Sequence, residues 1–345
     1  MSEKTAIKFK PKQVVKRLLG VVGDRSRDVL VSRFGLGDDT KRMTLEAIGK
    51  KYKITRERVR QIENYSIVNI RKSKEYVKEK DAFDELFKLI TDLGATISEE
   101  SLLKHISKDK ATQNQIHFLL VIGEDFTKEK EDVEFKHRWS VDKELSKKIH
   151  NSLRELYSTL SDDEILLESD MIEKFLENIK DVSEKYKNVE IAKRWLALSK
   201  LIDKNPLGEW GKATSQNINA KGMRDYAYLV IRRHGSPIHF REVAKLITEL
   251  FNKKAHVATT HNELIKDPRF VLVGRGLYAL SEWGYMSGVV RDVIKGILDK
   301  NGPLTKEEII KKVLKERYVK ENTIMVNLQN PKFFKKSKEG KYSVA

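Results

Sequence analysis

Cysteine is absent from the 345 residues. With it go a disulfide framework, a thiol nucleophile and every cysteine-ligated zinc or iron–sulfur site. Proline is scarce, at six positions, so little interrupts helices. Aromatic residues make up only 8%, too few for a surface that binds single strands by stacking bases. The longest apolar run, Tyr226–Ile231, is far below the roughly 18 residues that a membrane helix needs. The lysine-punctuated stretch Met1–Lys16 has no apolar core of a signal peptide. These absences predict a soluble, cytoplasmic chain.

Charge is abundant. Charged residues make up 34% and hydrophobic residues 39%, enough for packed cores, and the length favours two or three domains. The net charge of +17 is unevenly placed: residues 1–80 carry +12, residues 286–345 carry +7 and the centre −2. Two basic ends around a neutral middle point to a polyanion as partner, although a lysine-rich surface can also serve solubility alone.

The first segment reads as helical throughout, with Val14, Val15, Leu18, Leu19 and then Leu30, Val31, Phe34 at helical spacing. Gly35, Gly37, Asp38 and Asp39 mark a loop. Thr44 and Thr55 stand as N-caps before two helices, Thr44–Lys50 and Thr55–Arg71, joined by about four residues. That is the pattern of a helix-turn-helix. Counting about 100° per residue from Arg56, the side chains of Arg56, Glu57, Arg60 and Gln61 fall at about 0°, 100°, 40° and 140°. Val59 and Ile62 fall at about 300° and 240°, on the packing side. Guanidinium, carboxylate and amide groups together are the chemistry that reads base edges in the major groove; an ordinary solvated helix face is the plainer alternative.

The blocks Arg33-Phe34-Gly35-Leu36, Thr44-Leu45-Glu46-Ala47-Ile48-Gly49 and Ile54-Thr55-Arg56-Glu57-Arg58-Val59-Arg60-Gln61-Ile62-Glu63 closely resemble region four of primary bacterial sigma factors. The resemblance covers roughly residues 13–75. It implies that the second helix enters the major groove of a −35 promoter element in double-stranded DNA. It also implies docking on the flap of the beta subunit of core RNA polymerase. By matching position, Arg56, Glu57, Arg60 and Gln61 would read bases, and Thr55, Lys50 and Lys51 would contact phosphates. Two departures stand out: Asn64-Tyr65-Ser66 replaces the usual small-residue continuation, and Lys53 sits where a glycine would turn more easily. Only about a dozen residues precede the region, so no aromatic-rich −10 domain is expected, and with it no promoter melting by this chain alone.

The remainder repeats itself every 60 to 70 residues. Gly235-Ser-Pro237, Pro268-Arg-Phe270 and Gly276-Leu-Tyr278 return as Gly302-Pro303, Pro331-Lys-Phe333 and Gly340-Lys-Tyr342. Weaker copies occupy 81–145 and 146–218. Each reads as three helices and a hairpin, a winged-helix pattern. The phrase Ile238-His-Phe-Arg-Glu-Val-Ala, with Phe270 and Gly276-Leu-Tyr278-Ala-Leu280, resembles the HARE helix-turn-helix domain found at the N-terminus of the delta subunit of bacterial RNA polymerase. The last copy carries Lys335, Lys336 and Lys338 in its hairpin, suited to DNA phosphates. The copy at 81–145 carries Glu124, Asp125, Glu129, Glu131, Asp132 and Glu134, which should repel DNA.

Signs of catalysis are weak. The eight histidines are scattered, and no phosphate-binding loop or nucleophile elbow occurs. Asp125 with Glu134-Phe-Lys136 fits the spacing of a metal-dependent nuclease, but such matches arise by chance in a chain this charged. The expectation is therefore a mainly α chain of beads with no catalytic site, metal or cofactor. Its segments are a helix-turn-helix at 1–80, winged-helix-like units at 81–145 and 146–218, a HARE-type unit at 219–285 and a last unit at 286–345. Its expected function is nucleoid-associated, promoter-reading transcription control, with a delta-like polymerase accessory as the alternative.

Overall fold

The computed structural model describes residues 7–179, 182–286 and 288–345. Its chain falls into two compact units. One runs to Asp203 and takes in Trp210–Ala213; the other comprises Lys204–Glu209 and Thr214–Ala345.

The first unit opens with five helices: α1 (Pro11–Leu19), α2 (Asp24–Phe34), α3 (Leu45–Tyr52), α4 (Arg56–Arg71) and α5 (Lys74–Lys78). Proline in the first turn starts α1, where its missing N–H costs nothing. Gly35, at φ +63°, ends α2 in the left-handed conformation. A first repeat follows: α6 (Lys80–Asp92), β1 (Thr96–Ser98), α7 (Glu99–Ile106), α8 (Lys110–Ile122), β2 (Thr127–Glu129) and β3 (Arg138–Ser140). Its sheet has the order β1-β3-β2, with Ile97 opposite Trp139. A second repeat has α9 (Lys143–Thr159), α10 (Glu168–Asn178), α11 (Val189–Leu196), β4 (Ile202–Lys204) and β5 (Trp210–Lys212). In place of its first strand it has one antiparallel bridge, Leu166 to Trp210.

The other unit holds two further repeats. The third is α12 (Met223–His234), β6 (Ile238–His239), α13 (Phe240–Phe251), α14 (Val257–Lys266), β7 (Phe270–Leu272) and β8 (Leu277–Leu280), in the order β6-β8-β7. The fourth is α15 (Val290–Asn301), α16 (Lys306–Glu316), α17 (Glu321–Leu328), β9 (Phe334–Lys336) and β10 (Tyr342–Val344). Here too a single bridge, Leu304 to Tyr342, replaces the first strand. All four repeats thus share one topology. The last strand pairs both with its hairpin partner and with the residues between the first and second helices.

Two expectations need correction. The first two segments are not separate beads. Leu18, Leu30, Phe34 and Ile70 share one buried cluster with Leu86, Ile97, Phe118 and Trp139. The cause is α8, whose residues Asn114–Leu120 and Ile122 are all buried. Its apolar residues Ile116, Phe118, Leu119, Leu120 and Ile122 point to more than one side of the helix and need cover on each, and α1, α2 and α4 all pack against it. Polar groups lock the junction. Asn114 donates to the carbonyls of Gly35 and Thr40 at 2.9 and 2.8 Å and accepts from Arg42 at 2.8 Å. Arg71 donates to the Ile122 and Val121 carbonyls at 2.7 and 3.1 Å. The division at 145/146 also falls inside α9, because Asp142 caps that helix by accepting from the Leu145 N–H at 2.9 Å. One repeat runs into the next without a linker.

Candidate nucleic-acid interface

Local chemistry builds the α3–α4 pair. The hydroxyl of Thr44 accepts from the Ala47 N–H, and that of Thr55 from the Arg58 N–H, both at 3.1 Å. Each cap supplies one of the acceptors that a helix start lacks. Lys53 turns the chain at φ +55°, and the Ile54 N–H closes back on the Gly49 carbonyl at 2.9 Å. The turn is so tight that a Cβ at Gly49 would stand 2.7 Å from the Ile54 carbonyl oxygen. Val29, Ile48 and Val59 are fully buried between α2, α3 and α4, with Met43, Leu45, Tyr52, Ile54 and Ile62 packed around them. Arg33 holds Glu63 at 3.5 Å on the inner side of α4. Burial raises the Glu63 carboxyl above its ordinary range against the pull of Arg33.

The outer side of α4 presents Arg56, Glu57, Arg60 and Gln61, all exposed. They do not stand independently. Arg60 donates Nε and Nη2 to the two oxygens of Glu57 at 2.9 and 2.7 Å. The pairing holds the carboxyl below its usual range and the guanidinium above its own. Gln61 accepts from Arg58 at 3.2 Å. Sequence counting overlooked Asn64. It is exposed and falls at about 80° on the same helical projection, between Arg60 and Gln61. The signal was its spacing of four from Arg60 and three from Gln61.

Three of the six expected phosphate contacts have other partners in this structure. Thr55 serves as the cap. Lys50 pairs with Glu46 at 3.0 Å, and Lys51 reaches the Ser32 hydroxyl at 3.4 Å and lies 5.2 Å from the Tyr52 ring centre. Lys335, Lys336 and Lys338 belong to the other compact unit, exposed on and beside β9. Among the described residues no carboxylate lies within ion-pair distance of these three, and Lys336 sits 5.7 Å from the Tyr342 ring centre.

Of the residues weighed for metal chemistry, Glu134 has a partner, gripped by Arg154 at 2.7 Å. Among the described residues no group of three or more His, Asp and Glu side chains could hold an ion. His261 stacks on Phe240 at 4.1 Å between ring centres, a packing role. No helix of the described residues is long and apolar enough to cross a membrane.

Comparison with known proteins agrees with this geometry. The family model "Sigma-70, region 4" matches residues 18–72. The RNA polymerase sigma factor RpoD of Helicobacter pylori is 45% identical over 60 residues, 17% of this chain and 9% of that protein. SigA of Lactococcus lactis is 43% identical over 60 residues, 17% of this chain and 16% of its own length. SigA of Clostridium acetobutylicum is 40% identical over 73 residues, 21% of this chain and 19% of that protein. The chain therefore spans less than a fifth of the length of these relatives. The caps, the tight turn and the exposed face of α4 all fall within residues 18–72, the stretch that is similar to Sigma-70 region 4.

Proposed function

We propose that this chain is a non-catalytic, DNA-binding transcription protein that recognises a −35-like promoter element through α4. In this reading it associates with core RNA polymerase, through the beta flap, to modulate initiation. One observation carries it: within a region 4 domain, the outer face of α4 is exposed and lined with guanidinium, carboxylate and amide groups. Arg56, Arg60, Glu57 and Gln61 supply base readout, and Thr55, Lys50 and Lys51 face phosphates at the groove edge.

The four repeats are winged-helix-like modules in this reading, the third of the HARE type, and they divide the work. In the first module the third helix, α8, is buried, so that module supports the helix-turn-helix rather than touching DNA. In the fourth, the wing lysines bind phosphate as well.

A delta-like accessory role without promoter readout is the second reading. The mutual pairing of Arg60 and Glu57 favours it, since paired side chains have less to offer bases. Selection from random duplex DNA with the full chain, with and without core polymerase, separates the two. Enrichment of one motif that Arg60→Ala abolishes is expected. Copurification with polymerase but no enrichment supports the accessory role, and failure of both overturns the proposal.

A further inference from the structure

Where the third repeat meets the fourth, inside the second compact unit, there is a cleft of about 850 Å³. Sixteen large apolar side chains are exposed among the described residues of the chain, and four of them, Leu272, Val289, Leu314 and Tyr318, line this one cleft. Scattered apolar side chains are ordinary on a protein surface, but a cluster marks a binding face. The charges are equally one-sided. Arg275, Arg317 and Lys320 line the cleft, and no Asp or Glu does so among the described residues.

Arg317 explains both the shape and the field. It is 3% exposed and donates to the carbonyls of Leu272 at 2.6 Å and Gly288 at 2.9 Å, and also to that of Met286. Among the described residues no carboxylate pairs with it, and burial lowers its pKa from the ordinary arginine value. The neighbouring Glu316 instead accepts from the Met286 N–H at 3.2 Å. Glu316 next to it offsets part of the charge, but a buried guanidinium hydrogen-bonded to carbonyls and to no carboxylate leaves a positive potential at the wall. The walls are also fixed. Tyr318 N–H donates to the Val273 carbonyl at 2.7 Å, and Gly274 and Tyr318 form a parallel bridge. A Cβ at Gly274 would stand 2.9 Å from the Tyr318 Cβ, so the close approach needs glycine. Binding to a preformed cleft avoids the ordering cost of building one.

We propose that this cleft docks an acidic amphipathic segment of a partner protein. Its apolar side chains enter among Leu272, Val289 and Leu314, and its carboxylates face Arg275 and Lys320. Apolar walls with a cationic rim match a helix laid into a groove, one stripe apolar and the flanks acidic. A nucleic-acid backbone would meet the cations but leave the apolar walls unused. The inference is independent of promoter readout by α4.

The test is fluorescence anisotropy with the full chain and a labelled synthetic helix bearing Leu and Phe on one stripe and Glu on its flanks. Saturable binding is expected, weakened roughly tenfold by Val289→Glu with Leu314→Glu and again by Arg275→Glu. Both apolar positions are exposed, and unchanged thermal melting shows that the variants fold. Hydrogen exchange should slow at 272–277 and 314–323 when the peptide binds. A peptide with Ser on its apolar stripe should bind at least about fivefold more weakly. The proposal fails if no saturable binding occurs or the variants bind as the parent does. It fails equally if the Ser peptide is as tight, or if duplex DNA displaces the peptide and is itself weakened by the same variants.

Discussion

Arg60 and Glu57, one turn apart on α4, hold each other through two parallel hydrogen bonds of 2.9 and 2.7 Å. Two side chains assigned to bases are thus each other's partners in the free chain. Under the proposed readout, DNA either opens the pair or accepts it as a unit, with Glu57 aiming the guanidinium.

The two cases give different mutants. Arg60→Ala should weaken binding to the selected site roughly tenfold and relax preference at one base pair. Glu57→Gln, which frees the guanidinium and removes a negative charge near phosphates, should tighten binding to all sequences and narrow the gap between specific and random DNA. Competition binding at fixed salt measures both. If Arg60→Ala weakened every sequence equally, the residue would be a phosphate contact.

The wing lysines should act through salt. Replacing Lys335, Lys336 and Lys338 by Ala should flatten the plot of log K against log salt by about 0.9 for each phosphate no longer neutralised. The preferred sequence should stay the same, because lysines act here as point charges. An unchanged slope would remove the fourth repeat from the DNA interface.

Gly49→Val tests the turn. A Cβ only 2.7 Å from the Ile54 carbonyl forces α3 and α4 apart, at a cost of about 1–3 kcal/mol. Specific DNA binding should be lost while far-ultraviolet circular dichroism changes little. Lys53→Gly, at φ +55°, should instead raise the melting temperature slightly, because glycine adopts that conformation without strain.

Acid should destabilise the first unit. Burial lowers the pKa of His117 to about 3, in the company of Glu99, Arg42, Lys128 and Arg33. Burial lowers that of His150 to about 4, beside Arg138, Glu129, Arg154 and Asp132. Unfolded histidine titrates near 6.5. Between those values the unfolded chain binds more protons, so stability is complete above about pH 6.5 and falls as the pH drops toward 4. Melting temperatures should decline over that window, and His117→Gln should make the decline shallower. A variant with the parent's slope would show that His117 titrates normally.

Much of the α3–α4 pair was legible in the chain because helix caps, helical phase and composition are local properties. Thr44, Thr55 and the opposition of Val59 to Arg60 are fixed within a few residues of sequence. The repeat was legible too, through its recurring glycines, prolines and aromatics. The short first strand was not: β6 has two residues, and two of the four repeats have only a bridge, too little for alternation to register. Tertiary structure alone decided that α8 is buried against the helix-turn-helix. The periodicity of α8 is nearly featureless, and the groups that cover it, from α1 to Arg71, lie about 50 residues or more away along the chain. The cleft around Arg317 was hidden for the same reason. Its walls come from two repeats, and a guanidinium satisfied by three carbonyls leaves no mark in a sequence.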